Sequence, residues 1–310
     1  MSRSYTPDEF LDPRQSRGVQ LLRPRINDAP QPPRCQGPGS DENEGPVARD
    51  DGRNVHGARS PEPRRQYQVR GKSYRLRTSE IHTLGELGKF RAVSIKDLEE
   101  FAYRGDTDRS TADVRNLVRQ GLVVEKAIPH SETSPRRLLT LTKQGHVLLK
   151  DTKSLAAKQV AHYGFTKPRE AHHDADLYRL YYTAAEKIER KGSRNLRVVL
   201  DYELKKRVYR EFAKLGRDRT SSQRKKEIAE RHGLQFVKGK IPLPDLRIEY
   251  ETREGQVSRV DLELATEHYR GRNLAEKVKA GFLIYAHAHD AVGLRRVLDQ
   301  RELTAEILSL

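Results

Sequence analysis

Apolar residues follow three regimes along this chain. Up to about residue 70 aliphatics are sparse and show no sustained period, as in "APQPPRCQGPGSDENEGP". Such a segment buries too little apolar surface to offset its ordering entropy, which predicts a disordered tail over residues 1–70. Helical spacing then begins. Thr78-Ser79 caps a helix with Ile81, Leu84, Leu87 and Phe90 on one face, and Ser94 caps "IKDLEEFAY". Val114, Leu117 and Val118 stripe a third helix that Gly121 ends. "LVVEKAI" and "RRLLTLT" read as two strands around the loop "PHSETSP", and Thr142 caps a further helix.

The second half opens with "SLAAKQVAHYGF", predicted as a connecting helix that Lys167-Pro168 breaks, over residues 151–170. Leu177, Leu180, Tyr181, Ala184 and Ile188 then mark an amphipathic helix, followed by a strand, "LRVVLDY". A basic helical insertion covers about residues 202–233. Strands run from Asp245 to Thr252 and from Val257 to Leu264 around a turn at Glu254-Gly255. A helix from Asn273 to Ala288, a strand "GLRRVL" and a last helix capped by Asp299 complete the pattern. The class is α+β.

Three helices, a hairpin and a helix are the order of a winged helix-turn-helix domain, predicted over residues 71–150. In that fold the third helix enters the major groove and the hairpin loop meets backbone or minor groove. Arg109, Ser110, Thr111, Asp113, Arg115, Asn116 and Arg119 are the candidate readers on the third helix. Arg136 and Arg137 stand at the base of the wing.

Charge strengthens that reading. The 310-residue chain carries a formal net charge of +16, which points to a polyanionic partner, duplex DNA first. Between Lys205 and Arg231 there are 11 Lys/Arg against 4 Asp/Glu. Lys205, Lys206, Arg207, Arg210, Arg224, Lys225 and Lys226 are therefore candidate backbone contacts. Arg23, Arg25, Arg64 and Arg65 of the tail add further cations. The single cysteine, Cys35, rules out a disulfide within the chain and supplies too little for a cysteine-based zinc site. With no apolar run near 18 residues and no signal-peptide pattern, the sequence predicts a soluble cytoplasmic protein, nucleoid-associated, without a membrane partner.

Pro244-Asp245 and Asp261-Leu262-Glu263 sit at the ends of the two paired strands. From residue 171 to 310 the order helix, strand, insertion, two strands, helix, strand, helix resembles the PD-(D/E)xK nuclease core. If residues summing to about 509 face each other, Leu246 is opposite Glu263, and Asp245, Asp261 and Glu263 converge. Three carboxylates suit Mg²⁺, which would hold phosphate and water together. The lysine expected two residues after Glu263 is Ala265; Lys277 or Lys279 of the next helix is a possible replacement, and Glu186 or Glu189 a further acid. His172-His173-Asp174-Ala175-Asp176 has ligand-like density, and His287-Ala288-His289 with Tyr181-Tyr182 resembles the histidine and tyrosine pattern of relaxases.

These pieces, with "NLAEKVKAGFLIYA" and "LRRVLDQRELTAEIL", resemble the bacterial replication-relaxation family of plasmids and mobile elements over about residues 75–310. That family's strand is closer to Glu-x-Asp followed by Gly-Thr, where this chain has Asp261-Leu262-Glu263-Leu264-Ala265-Thr266. The resemblance implies a DNA-binding protein of replication, mobilisation or its control, and we expect it to act as a homodimer. With Ala265 in place of lysine, the expectation is a nuclease-like domain that does not cut. An active Mg²⁺-dependent endonuclease and an autoregulatory repressor are the alternatives.

Overall fold

The computed structural model describes residues 62–129, 135–156, 158–165, 167–214, 221–266, 269, 271–300 and 305–310. Most of the predicted tail, with Arg23, Arg25 and Cys35, lies outside the described residues, as does the tip of the predicted wing loop. Regular structure begins inside the predicted tail, before residue 71. Strands β1 (Arg65–Val69) and β2 (Lys72–Leu76) form an antiparallel hairpin. Its two-residue turn places Arg70 and Gly71 at φ 50° and 75°, the left-handed pair that matches strand twist. Tyr74 and Leu76 are buried beneath it. Five-residue strands interrupted by arginines show too short an alternation to stand out from a polar tail.

The expected order of three helices, a hairpin and a fourth helix follows. It comprises α1 (Thr78–Lys89), the short β3 (Val93–Ser94), α2 (Ile95–Phe101), α3 (Thr107–Arg119), β4 (Val123–Ile128), β5 (Arg136–Leu141) and α4 (Lys143–Asp151). β5 is the central strand between β3 and β4. The Asp106 carboxylate accepts from the Arg109 amide at 3.0 Å and caps α3. The helix ends at Gly121 with φ 69°. α1 starts from Arg77, whose amide donates to Glu80 at 2.7 Å.

The predicted connecting helix is absent. The described part of 154–165 runs as extended chain and turns. The His162 amide donates to the Gly88 carbonyl at 2.8 Å, and the Gln159 amide group bonds both the N–H and the C=O of Val198. Val198 lies on an edge strand, so Gln159 satisfies backbone groups that would otherwise be open to a further strand. That tertiary demand outweighs the local helix pattern.

The second half runs α5 (Pro168–Glu189), β6 (Arg194–Leu200), α6 (Asp201–Lys214), α7 (Ser222–Arg231), β7 (Leu246–Glu251), β8 (Val257–Leu264), α8 (Gly271–Lys279), β9 (Leu283–Ala286), α9 (Ala288–Asp299) and β10 (Ile307–Ser309). The sheet order is β10-β9-β8-β7-β6. β6, β7 and β8 are antiparallel neighbours, and β9 and β10 continue in parallel with β8. The expected helix to Ala288 stops early, because Gly281 at φ 82° ends α8 and buried "IYA" becomes strand. A short apolar run reads equally as helix or strand. "GLRRVL" is helical, with Leu294 and Leu298 buried one turn apart and Arg295 outward. The chain end, predicted as helix, closes as β10; residues 301–304 lie outside the described set.

One continuous apolar cluster joins α1, α3 and β5 to α5 and the inner strands of the large sheet. α5 is the shared wall. Tyr178 is fully buried and meets Phe90 edge-on with centroids 5.1 Å apart, while Tyr182 stacks on Phe101 at 5.0 Å. The Tyr182 hydroxyl donates to buried Glu86 at 2.5 Å, and Arg179 grips Asp97 at 2.5 Å. Tyr178→Ala is expected to cost about 3–5 kcal/mol, the range for removing a large buried aromatic. Urea unfolding followed by circular dichroism should show one transition moved to lower denaturant, with the helical and sheet signals lost together.

Candidate functional site

The β7–β8 hairpin fixes the site. Leu246 pairs with Leu262 and Arg247 with Asp261, one residue earlier than the turn at Glu254-Gly255 suggests. Asp245 therefore stands across from Glu263 itself. The Leu264 amide donates to Asp245 Oδ2 at 2.9 Å, and the Asp245 amide donates to Glu263 Oε2 at 3.2 Å. From α8, Lys277 Nζ lies 2.7 Å from Glu263 Oε1 and donates to the Leu243 carbonyl at 2.5 Å. The Tyr269 hydroxyl donates to the same Glu263 oxygen. From α5, His173 Nε2 is 3.6 Å from Asp245 Oδ1. The Asp201 amide, at the start of α6, donates to the Asp245 carbonyl at 3.1 Å.

The charges in this cluster are unequal. Burial, then the negative charge of Asp245, push the Glu263 carboxyl up to about 7 despite Lys277 and Tyr269. Burial also opposes ionisation of Asp245, but His173, Lys277 and the Leu264 amide hold its pKa below the ordinary value. Burial works against a charged His173; its bond to Asp245 and the carboxylates around it outweigh that and raise it to about 9. Burial and Asp245 both raise Asp201. The result is one firmly ionised carboxylate beside one that changes charge near neutrality.

Some predicted members are elsewhere. Asp261 is held by the buried Arg247 guanidinium through bonds of 2.6 and 2.9 Å. Arg247 also donates to the His232 and Gly233 carbonyls at 2.6 and 3.0 Å, tying the sheet to the end of α7. The one-residue change of register gives Asp261 this structural partner and takes it out of the carboxylate pair. Lys279, two positions along α8 from Lys277, is exposed away from Glu263, as are Glu186 and Glu189 on α5. Among the described residues no three His, Cys, Asp or Glu stand together as a ready metal cage. Two carboxylates remain, and Mg²⁺ is commonly held by one or two carboxylates with water and phosphate completing its shell. Burial first, and the charge of Asp245 second, raise the Glu263 carboxyl.

A cleft of about 400 Å³ opens beside this pair. Lys205, Tyr209, Lys225, Lys240, Asn273 and Lys277 are among its walls. The insertion thus brings cations to the carboxylates. Lys205, Lys206 and Arg210 are exposed, whereas Lys225 is buried in the cleft wall. Arg207, Arg224 and Lys226 pair with Glu203, Glu227 and Glu230 at 3.5, 3.0 and 3.9 Å.

On α3, Arg109, Arg115 and Arg119 are exposed and Thr111 is half-buried. Thr111, Arg115 and Arg119 border a second cleft of about 400 Å³ with Glu99, Val118 and Arg137. Ser110 and Asn116 do not face outward. Both are buried, and Asn116 donates to Glu80 at 2.8 Å while accepting from Arg119 at 2.9 Å. Asp113 is likewise buried against Arg77 at 3.0 Å. Arg136 bridges Asp97 and Asp176 at 3.1 and 2.7 Å, an internal strut rather than a wing-base contact. Arg137 is exposed and pairs with Glu125 at 2.5 Å.

The histidine-rich stretches have local partners. His172 bonds the Pro129 carbonyl at 2.8 Å, and His287 stands 3.3 Å from Asp176. Tyr181 and Tyr182 pack in the α5 core, so no relaxase-like grouping forms from them. Sequence reasoning missed Tyr269 and Asp201, and weighed His173 as a metal ligand rather than as the partner of Asp245. Tyr269 lies six residues beyond Glu263, within reach of a chain that turns back over the strand end.

The structure is similar to the solved structure of Bacillus subtilis PadR in complex with operator DNA, with 14% identity over 51% of this chain and 93% of that one, at a TM-score of 0.22. No family model and no curated protein matches the chain.

Glu263 binds a proton more tightly in the folded state from about pH 4.5 to 7, and His173 from about 6.5 to 9. Stability from each is present at the lower pH and is lost as pH rises through the folded pKa. Thermal melts should show Glu263→Gln gaining stability relative to wild type between pH 5 and 8. A constant wild-type-to-variant difference across that range would contradict the assignment.

Proposed function

We propose that this protein binds duplex DNA and cleaves its phosphodiester backbone with a divalent cation, Mg²⁺, at the Asp245–Glu263–Lys277 cleft. The observation that carries the reading is Lys277 Nζ at 2.7 Å from Glu263, across from Asp245. It supplies from α8 the cation that Ala265 lacks on the strand. The order α5-β6-β7-β8-α8-β9, with β9 parallel to β8, supports a PD-(D/E)xK-like reading. The cation, when bound, supplies Lewis acidity and lowers the pKa of water.

The chain's own residues divide the remaining work. Asp245 and Glu263 offer carboxylate oxygens at the strand ends. Lys277 would offer positive charge to the negative charge that builds as phosphorus becomes five-coordinate. Tyr269 orients the Glu263 carboxylate, and His173 does the same for Asp245. Lys205 and Lys240 line the approach of the backbone. The first half reads as a winged helix that holds the duplex, with Arg109, Arg115 and Arg119 facing outward. On the family resemblance, the DNA is that of a plasmid or mobile element.

A second reading, DNA binding without cleavage, is favoured by the Asp261–Arg247 pair, which leaves two carboxylates rather than three. Cleavage of supercoiled plasmid with Mg²⁺ or Mn²⁺ separates the two. Wild type is expected to nick or linearise the DNA, with Asp245→Ala and Lys277→Ala slower by about 100-fold or more, the scale of removing one transition-state charge partner. Lys279→Ala should cut normally. A wild type that binds DNA and never cuts it would leave the binding reading. Arg115→Ala should weaken duplex binding by about 1 kcal/mol or more with unchanged thermal stability, measured by fluorescence anisotropy.

A further inference from the structure

The β1–β2 hairpin has no part in the cleft or in the predicted wing. Residues 63–79 contain six Lys/Arg and no Asp/Glu. Two of the six are used inside the fold: Arg64 pairs with Glu80 at 3.0 Å, and Arg77 with Asp113 at 3.0 Å. Arg70, Lys72 and Arg75 are exposed and make no ion pair among the described residues. Like charges held close together repel, and a folded hairpin that fixes them needs anchoring elsewhere. Tyr74 and Leu76 provide it on the inner face.

The hairpin is also tied to α3. The Gln120 side chain accepts from the Arg75 amide at 3.0 Å and donates to the Arg75 carbonyl at 3.1 Å. The Asn116 amide group donates to that carbonyl at 3.4 Å. Asn116 and Gln120 lie roughly 100–140° around the helix from Arg115, at 100° per residue. The hairpin therefore flanks α3 on a different side from the cleft that Arg115 borders. Lys72 and Arg119 share the walls of an open hollow of about 480 Å³, and Arg70, Lys72 and Lys143 border a smaller neighbour. Together these side chains make a basic strip from the hairpin tip to the C-terminal end of α3.

We propose that the β1–β2 hairpin is a second phosphate-binding element, which grips duplex backbone beside the stretch that α3 engages. The inference rests on the reading of α3 as the DNA-facing helix. Backbone charge contacts carry no sequence information, so the hairpin adds affinity and register and leaves base preference to α3. Its contribution is electrostatic, and each neutralised phosphate adds about 0.9 to the slope of log affinity against log salt.

The test uses the full chain and a 30-base-pair duplex, with affinity measured by anisotropy from low to moderate salt. Arg70→Gln, Lys72→Gln and Arg75→Gln combined should reduce the slope by about 2–3 and weaken binding equally to unrelated duplexes. The same three positions changed to lysine, where not already so, should keep the wild-type slope. An unchanged slope in the glutamine variant, with Arg115→Ala still weakening binding, overturns the hairpin's role and leaves α3 as the reader. Wild type that fails to bind duplex overturns both. If the glutamine variant melts at a lower temperature, a Lys72→Gln single variant decides: loss of about one unit of slope supports the proposal, and no loss overturns it.

Discussion

The structure depends on the burial of α5 between two sets of elements. A helix with a stripe on one side would serve one layer; α5 carries apolar or aromatic residues toward both. Tyr178 and Tyr182 face Phe90 and Phe101 of the first half, and the same apolar cluster continues into Val198, Ile248 and Leu262 of the sheet. The polar groups along this contact are matched. Asp97 receives both Arg136 and Arg179, and buried Glu86 receives Lys89 and Tyr182. Removing one member would strand a buried charge, which costs more than the net worth of the pair. Because α5 also carries His173, the packing that joins the halves positions the cationic partner of Asp245.

The cleft itself follows from register. The antiparallel register that pairs Leu246 with Leu262 sets Asp245 across from Glu263 and makes Arg247 and Asp261 the next pair on the same face. One pair is cross-compensated by charge and becomes structural. The other consists of two acids and needs help from outside the hairpin, which Lys277, Tyr269 and His173 bring from α8, the loop before it and α5. The compensation is incomplete: burial and, after it, the charge of Asp245 keep the Glu263 carboxyl raised.

Much of this was legible in the residues. Apolar periodicity located α1, α3 and β6–β8, the Thr142 cap located α4, and Pro244-Asp245 with Glu263 marked the strand ends that meet; the expected Thr78-Ser79 cap is not made, because α1 starts from Arg77. The unread parts have physical causes. Gln159 closes the edge at Val198, a tertiary contact that no local pattern announces. "LIYA" after Gly281 is an apolar run that fits helix or strand until a neighbour pairs with it. Ser110, Asp113 and Asn116 looked like readers because they are polar on a helix, yet all three are buried; Asp113 pairs with Arg77, and Asn116 bonds Glu80 of α1 and the Arg75 carbonyl of the hairpin. A single residue of register decided that Asp261 belongs to Arg247.

The central claim is that Asp245 and Glu263, with Lys277 beside them, form a divalent-cation site that works on DNA. Electron paramagnetic resonance of Mn²⁺ titrated into the protein–duplex complex tests it most directly. The account predicts one bound ion per chain, tighter at pH 8 than at pH 6 because Glu263 must lose its proton, and lost in Glu263→Gln. No bound ion in wild type, or equal binding by Glu263→Gln, would contradict it.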